Sequence, residues 1–193
     1  MEGYYCAYMM FEQFFNSPIK ARLVKFFVYN HSKFFDIGDI AKRLELSPVK
    51  IKTHLKELKK AGFLKSKSAH SFSISYKFPY LNEVKALVLK FPPVSDEFLL
   101  QEAKKVGQIK LLIIAGVLVH AQKARTEIVI VGDRITEKKA ERFLRSAEAQ
   151  AGKELRYVLL TNEEFLYRKK MFDRFVLDVL ELPHKKVINK LGI

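Results

Sequence analysis

The sequence predicts an α+β protein of two domains, and three observations support this. Apolar side chains recur at helical spacing through residues 17–62 and then alternate with polar ones through residues 63–76. Two consecutive prolines, Pro92 and Pro93, interrupt the pattern. After them, short apolar runs of strand length alternate with helical segments. A chain of 193 residues with 49% hydrophobic content can fill two small cores.

The net charge of +14 is unevenly distributed along the chain. Residues 17–90 hold 16 Lys and Arg against 5 Asp and Glu, whereas residues 91–193 hold 19 against 14. Concentrated positive charge attracts a polyanion and releases its counterions, so nucleic acid is the expected partner of the first half. The alternative is that the lysines only keep the protein in solution.

Cysteine content and hydropathy restrict the class of protein. Cys6 is the single cysteine, which excludes an internal disulfide and Cys-rich zinc sites and favours a reducing cytoplasm. The longest apolar run, Leu111 to Val119, is too short to cross a bilayer. We therefore expect a cytoplasmic protein without membrane association, metal or other cofactor.

Three helices are predicted in the basic half, each with a capping residue at its start: Ser17, Asp36 and Ser47. Proline follows Ser17 and Ser47, as is usual at the first helical position. Two residues, 45 and 46, lie between the second helix and the third cap, so these helices must cross steeply, as in a helix-turn-helix.

The third helix, VKIKTHLKELKKAG, places Ile51, Leu55 and Leu58 on one face and ends at Gly62, which suits a left-handed C-terminal cap. The alternating residues that follow predict a β-hairpin with the basic tip KSKSAHS. Three helices and a hairpin resemble a winged helix-turn-helix domain of the arsenic-repressor type. The resemblance rests on S-P-x-x-I-x-x-H-L-x-x-L-x-x-A-G-F-L at Ser47 to Leu64.

This resemblance implies that the third helix enters the major groove of double-stranded DNA while the hairpin touches the flanking backbone. The residues expected to bind DNA are Ser47, Lys50, Lys52, Thr53, Lys56, Lys65, Lys67 and His70. Lysine is mainly a phosphate partner, so we expect strong salt dependence and modest sequence discrimination. His54 is expected to pack against the turn. Winged helices also serve as protein–protein modules, and that alternative stays open.

An aromatic segment precedes the first helix. Tyr4, Tyr8, Phe11 and Phe15 are spaced by four, three and four residues, which places them on one helical face. We expect this face to pack against the winged helix, the second domain or another subunit. A homodimer is expected, since it would present two recognition helices to two half-sites.

The second half is predicted to be an α/β domain. A fourth helix over residues 82–90 ends the first domain (1–90), residues 91–95 form a linker, and residues 96–193 form the second domain. Helices are expected over residues 96–107, 136–152 and 161–171, with Thr161 as a cap, and strands over residues 109–116, 127–133 and 155–161. Such continuously apolar strands need helices on both faces.

A strand ending in glycine, a short loop and a second strand opening with a carboxylate resemble the minimal nucleotidyltransferase fold. In that family Gly-Ser holds the nucleotide phosphates and Asp-x-Asp binds two magnesium ions, which clamp the attacking and leaving oxygens. Here Val117 follows Gly116, and Arg125 and Glu127 occupy the two carboxylate positions. A guanidinium in place of a metal ligand predicts an inactive domain without catalytic or metal-binding residues.

Two roles are expected for the second domain: dimerisation, or the sensing of a nucleotide effector at a vestigial site comprising Gly116, Lys123, Arg125 and Glu127. His120 borders the same site. We expect Glu127 to pair with Lys123, Arg125 or Arg134. Over nearly its whole length the chain resembles a prokaryotic family, of little defined function, that fuses a winged helix to a degenerate nucleotidyltransferase-like domain.

The predicted function is that of a DNA-binding transcriptional regulator. Two alternatives remain: a nucleotidyltransferase acting on RNA or protein, as in toxin–antitoxin systems, and a scaffold that binds protein and not DNA.

Overall fold

The structure is a computed structural model, and it describes residues 10–121 and 123–193. The described chain is mixed α+β and divides into two compact units, one of residues 10–93 and 148–154 and the other of residues 94–147 and 155–193. The domain limits of 1–90 and 96–193 stay a prediction. Cys6, Tyr4 and Tyr8 lie outside the described residues.

Besides the helical residues 10–14, the described part of the first unit contains four helices and a small sheet. The helices are α1 (Pro18–Tyr29), α2 (Ile37–Leu44), α3 (Pro48–Lys60) and α4 (Leu81–Lys90), and the strands are β1 (Phe35–Asp36), β2 (Leu64–Ser66) and β3 (Ser71–Ile74). All strands are antiparallel in the order β1-β3-β2, with Phe35 opposite Phe72 and Leu64 opposite Ile74. The predicted hairpin is therefore present, and β1 widens it to three strands.

In the first unit, the helix ends confirm two predicted caps and correct two. Ser17 accepts a hydrogen bond from the backbone N–H of Lys20 at 3.3 Å, and Gly62 ends α3 at φ +82°. Asp36 makes no side-chain cap, because it lies in β1 and the N–H of Ile37 is satisfied by the carbonyl of His70 at 3.0 Å. Ser47 also makes no side-chain cap. It is exposed, and helix amides that solvent can reach need no side-chain acceptor.

The aromatic segment contributes to the core of the first unit. Residues 10–14 are helical. Phe11 is fully buried, with its ring centroid 5.0 Å from that of Phe15 and 5.2 Å from that of Phe91. Packing of this segment against the winged helix is thus confirmed for Phe11 and Phe15.

Residues 148–154 also pack within the first unit. The guanidinium of Arg22 donates to the carbonyl of Ala149 at 2.8 Å, and the Asn30 amide donates to the carbonyl of Gly152 at 2.8 Å. Gly152 has φ +72°, and a Cβ there would lie 2.9 Å from the backbone of Phe26. Only glycine permits this approach at that backbone conformation.

The second unit is a four-stranded mixed sheet with helices. Its strands are β4 (Ile109–Ala115), β5 (Ile128–Gly132), β6 (Tyr157–Leu160) and β7 (His184–Asn189), and its helices are α5 (Asp96–Val106), α6 (Glu137–Ala151), α7 (Asn162–Lys170) and α8 (Arg174–Glu181). The last residues of α6 belong to the first unit. The strand order is β6-β5-β4-β7, in which β6 runs parallel to β5, and β4 runs antiparallel to β5 and β7.

The central strands are covered on both faces, as predicted. Leu111 and Ile113 are buried on one face of β4, and Leu112 and Ile114 on the other. β7 was not predicted, because this edge strand is half-exposed and its HKK start lacks an apolar run. No helix in the described part of the chain is long and apolar enough to span a membrane.

Candidate nucleic-acid interface

The third helix is held by a tight turn. Three residues, 45–47, separate α2 from α3, and Glu45 adopts a left-handed conformation at φ +49°. The backbone N–H of Leu46 returns to the carbonyl of Ala41 at 3.0 Å, which closes the end of α2. The turn fixes the direction in which α3 leaves α2.

Two lines of side chains run along α3 on opposite sides. Ile51, Leu55 and Leu58 are buried in the core. Val49, Thr53, Lys56 and Lys60 are exposed and share the spacing of four, three and four residues. An offset of two residues turns the helix by about 200°, so the second line faces away from the core. Lys50 and Lys52 flank it, and we call these six exposed residues the α3 face.

The charge of the α3 face is not neutralised within the described chain. No ion pair among residues 10–121 and 123–193 involves Lys50, Lys52, Lys56 or Lys60. The acidic residue of α3, Glu57, binds Lys20 at 2.6 Å. The hydrogen bonds from Lys20 and then His54 lower the pKa of Glu57. Its charge is therefore directed to α1 and not to the lysines of the face.

His54 has structural neighbours, but they are not in the turn. Its Nε2 lies 3.3 Å from the hydroxyl of Ser17, and its Nδ1 lies 3.4 Å from the carboxylate of Glu57. The half-buried imidazole thus joins the start of α1 to α3. The expected packing against the turn is corrected to packing against α1, since α1 crosses this side of α3.

The hairpin places two of its three predicted contact residues at the tip. Lys67 and His70 are exposed there, and the hydroxyl of Ser68 accepts from the backbone N–H of His70 at 3.3 Å. Lys65 lies on β2 instead, with its ammonium 5.4 Å from the ring centroid of Phe34 and 5.9 Å from that of Tyr76. Cation–π attraction holds this lysine over the aromatic rings and away from the tip.

Two members of the vestigial site meet at the start of β5. Gly116 has φ +58°, and a Cβ there would lie 3.3 Å from Cγ of Glu127 and 3.1 Å from Cβ of Ala124. The backbone N–H of Ala115 donates to the carbonyl of Glu127 at 2.9 Å. Lys123 is exposed. Gly116 and Glu127 are thus neighbours.

The ion-pair partner of Glu127 is Arg156, which corrects the predicted pairing with Lys123, Arg125 or Arg134. The side chain of Glu127 is 9% exposed and that of Arg156 63%. One carboxylate oxygen accepts from Nη2 of Arg156 at 2.9 Å, and the other accepts from Nε at 3.1 Å and from the backbone N–H at 2.9 Å. The hydrogen bond with Glu127 raises the pKa of Arg156. This two-pronged contact clamps β5 to the start of β6.

Arg125 is also engaged in an ion pair. Its Nε lies 2.5 Å from the carboxylate of Asp178 on α8, and Arg174 reaches the other oxygen of the same carboxylate at 3.0 Å. Across the described ranges, no three His, Cys, Asp or Glu side chains come close enough together to hold a metal ion. The charged groups at the start of β5 are arranged for internal pairing.

Three residues that matter here were missed by the sequence analysis. Val49 carries no charge and was passed over beside the lysines, although its spacing to Thr53 and Lys56 could have placed it on the same line. Arg156 and Asp178 are far from Glu127 and Arg125 in the sequence, and only the pairing of strands and the packing of α8 bring them together.

Comparison with family models gives one match. The model described as "Bacterial regulatory protein, arsR family" matches residues 36–66, which run from β1 through α2 and α3 to β2. Neither the curated proteins nor the solved structures gave a match. The match assigns a helix-turn-helix to this region and indicates a DNA-binding transcriptional regulator.

Proposed function

We propose that the chain is a transcriptional regulator that binds double-stranded DNA through the α3 face. The observation that carries the proposal is a coincidence of two findings. The matched helix-turn-helix segment contains α3, and the exposed side of α3 carries lysines that no acidic group of the described chain neutralises. A phosphate backbone is the partner that such a surface favours, because binding it releases condensed counterions.

The centre and the flanks of the α3 face suit different contacts with DNA. Lys50 and Lys52 lie on either side of the exposed line and are placed to meet the two phosphate backbones that border a major groove. Thr53 and Lys56 lie at the centre, where base edges are within reach. The hydroxyl of Ser47 makes no cap to the helix. This hydroxyl and the amides at the start of α3 add hydrogen-bond donors for a phosphate.

The hairpin adds a second contact region to the proposal. Lys67 and His70 at its tip are exposed and suit the backbone beside the groove. Lys65 is assigned a weaker part, because its ammonium is already held over two aromatic rings. The overall contact is dominated by phosphates, which predicts strong salt dependence.

Charge reversal tests this assignment. The variant Lys52→Glu/Lys56→Glu should lower affinity for duplexes selected from a random pool by about a hundredfold or more at 0.1 M salt, because two attractions become repulsions. The measurement is fluorescence anisotropy of labelled duplexes.

The matched control for this variant is Lys138→Glu/Lys139→Glu, which makes the same change in net charge at two exposed lysines of α6. It should retain most of the affinity. Equal loss in both variants would show that net charge and not the α3 face drives binding, and retention by both would defeat the assignment.

For the second unit we propose an inactive nucleotidyltransferase-like domain. Gly116 at a strand end beside the carboxylate of Glu127 supports the likeness. Arg125 in the other carboxylate position, itself paired with Asp178, argues against two-metal chemistry. Incubation with labelled nucleotide and magnesium should transfer no label to RNA, protein or the chain itself.

Between dimerisation and nucleotide sensing, the ion pairs favour dimerisation as the role of this unit. Arg125 and Arg156 each already hold a carboxylate, with which a phosphate would have to compete. Calorimetric titration with ATP and GTP, with and without magnesium, should give only the heat of dilution. Light scattering should give the mass of a homodimer; a nucleotide-dependent heat together with a monomer mass would reverse this assignment.

A further inference from the structure

The stability of α3 does not explain the presence of Val49. It is the second residue of α3, follows Pro48, and is 78% exposed. A β-branched side chain is a weaker helix former than lysine, glutamate or alanine, and an exposed one buries no apolar area in return. An isolated exposed valine is ordinary on a protein surface, so its exposure alone carries little weight. Its position on the helix is the informative feature.

The position is at the leading end of the exposed line of α3. Val49 begins the line that continues through Thr53 and Lys56, and Lys50 and Lys52 flank it. In a helix-turn-helix the first residues of the recognition helix approach the base edges most closely. Val49 is therefore the apolar group of the α3 face that would lie nearest to the bases.

The bases present one apolar group in the major groove, the C5-methyl of thymine. The two methyl groups of valine offer it a dry contact and offer the other three bases no hydrogen bond. The lysines beside it mainly hold phosphates and discriminate little. An apolar contact at this point would thus supply sequence preference that the charged residues lack.

We propose that Val49 is a specificity-determining residue that reads a thymine methyl group in the major groove. This inference rests on the proposed DNA binding by the α3 face. It assigns one base type to one side chain, whereas the lysines account for affinity. Val49→Ala should leave folding intact, because the side chain is exposed and alanine is the better helix former.

The test uses the full chain and duplexes selected from a random pool. In the preferred duplex each thymine is replaced in turn by deoxyuridine, which lacks only the methyl group. One replacement should weaken binding of the wild type by about three- to fivefold, the effect of losing one buried methyl. In Val49→Ala, thymine and deoxyuridine at that position should bind equally, and the salt dependence should match the wild type.

Thr53→Ser is the matched control, since it removes the other methyl group of the line while keeping the hydroxyl. It should keep the deoxyuridine effect. The proposed role of Val49 would be overturned if salt-dependent binding remained but the deoxyuridine effect survived in Val49→Ala. It would also be overturned if the wild type showed no deoxyuridine effect at any thymine. Absence of duplex binding altogether would instead overturn the proposed function on which the inference rests.

Discussion

The α3 face and the start of β5 both concentrate charged side chains, but they use them in opposite ways. On α3 the lysines at 50, 52, 56 and 60 are exposed and have no ion pair within the described residues. At β5, Glu127 binds Arg156 through both oxygens, and Arg125 binds Asp178. The first region can gain a partner at little loss, whereas the second would have to break contacts that it already makes.

The comparison teaches that residue type alone does not identify a binding site. Lysine, arginine and glutamate occur in both candidate sites, and the sequence analysis treated both as places for phosphate. Pairing decides between them, because an arginine that already holds a carboxylate binds a phosphate only in competition with that carboxylate. The regulator interpretation therefore rests on α3, and the vestigial nucleotide site loses two of its charged members to internal ion pairs.

Burial determines how much a lysine destabilises the folded protein, and Lys25 of α1 shows the size of this effect. Lys25 is 1% exposed, lies 5.0 Å from the ring centroid of Phe11 and reaches the carbonyl of Pro93 at 3.4 Å. Burial lowers its pKa to about 8, with Glu12 opposing the shift and Arg22 adding to it. Lys25→Met should stabilise the protein at pH 7 by about 2 kcal/mol, since a charge no longer has to be desolvated.

The advantage of Lys25→Met should depend on pH. The unfolded chain keeps the lysine proton up to pH 10.5 and the folded chain loses it near pH 8. Wild-type stability therefore gains from this group as pH rises between 8 and 10.5, and the difference from the variant shrinks. Chemical denaturation at several pH values measures it. The matched substitution Lys56→Met should change stability by less than about 0.5 kcal/mol at every pH. If Lys56→Met stabilised the protein as much as Lys25→Met, burial would not explain the effect at Lys25.

The paired region should be sensitive to the loss of one partner. Arg156→Ala leaves the carboxylate of Glu127 buried with only part of its hydrogen bonds, which should destabilise the protein by about 1–2 kcal/mol. Lys56→Ala on the α3 face should have an effect within about 0.5 kcal/mol. Thermal or urea unfolding of both variants checks the difference. Equal effects would mean that the Glu127–Arg156 clamp contributes no more than a surface charge.

Local sequence signals predicted the first unit well. Ser17, Gly62 and the buried line of α3 act through neighbours in the chain, so spacing and residue type were sufficient to predict them. Asp36 failed as a side-chain cap because a distant residue, His70, supplies the acceptor for the helix start. A helix-capping propensity describes the hydrogen bonds that a residue can make with its neighbours in the chain. It does not include a hydrogen bond supplied by a residue that is distant in the sequence.

The second unit and its charged site were less predictable for the same physical reason. Strand β7 has no apolar run, and its pairing with β4 depends on residues some seventy positions apart. Glu127 lies opposite Arg156 only because β6 is parallel to β5 across a whole helix. The three nearby cations considered for Glu127 were reasonable by sequence distance, but the strand register brought a fourth one into contact.

Salt dependence of DNA binding tests the central claim most directly, that the lysines of the α3 face neutralise phosphates. Affinity for a selected duplex should be measured between 0.05 and about 0.3 M salt for the wild type and for Lys52→Gln/Lys56→Gln. If each lysine releases one counterion, the slope of log affinity against log salt should become less steep by about 1.8 in the variant. An unchanged slope would contradict the account, because the two lysines would then make no phosphate contact.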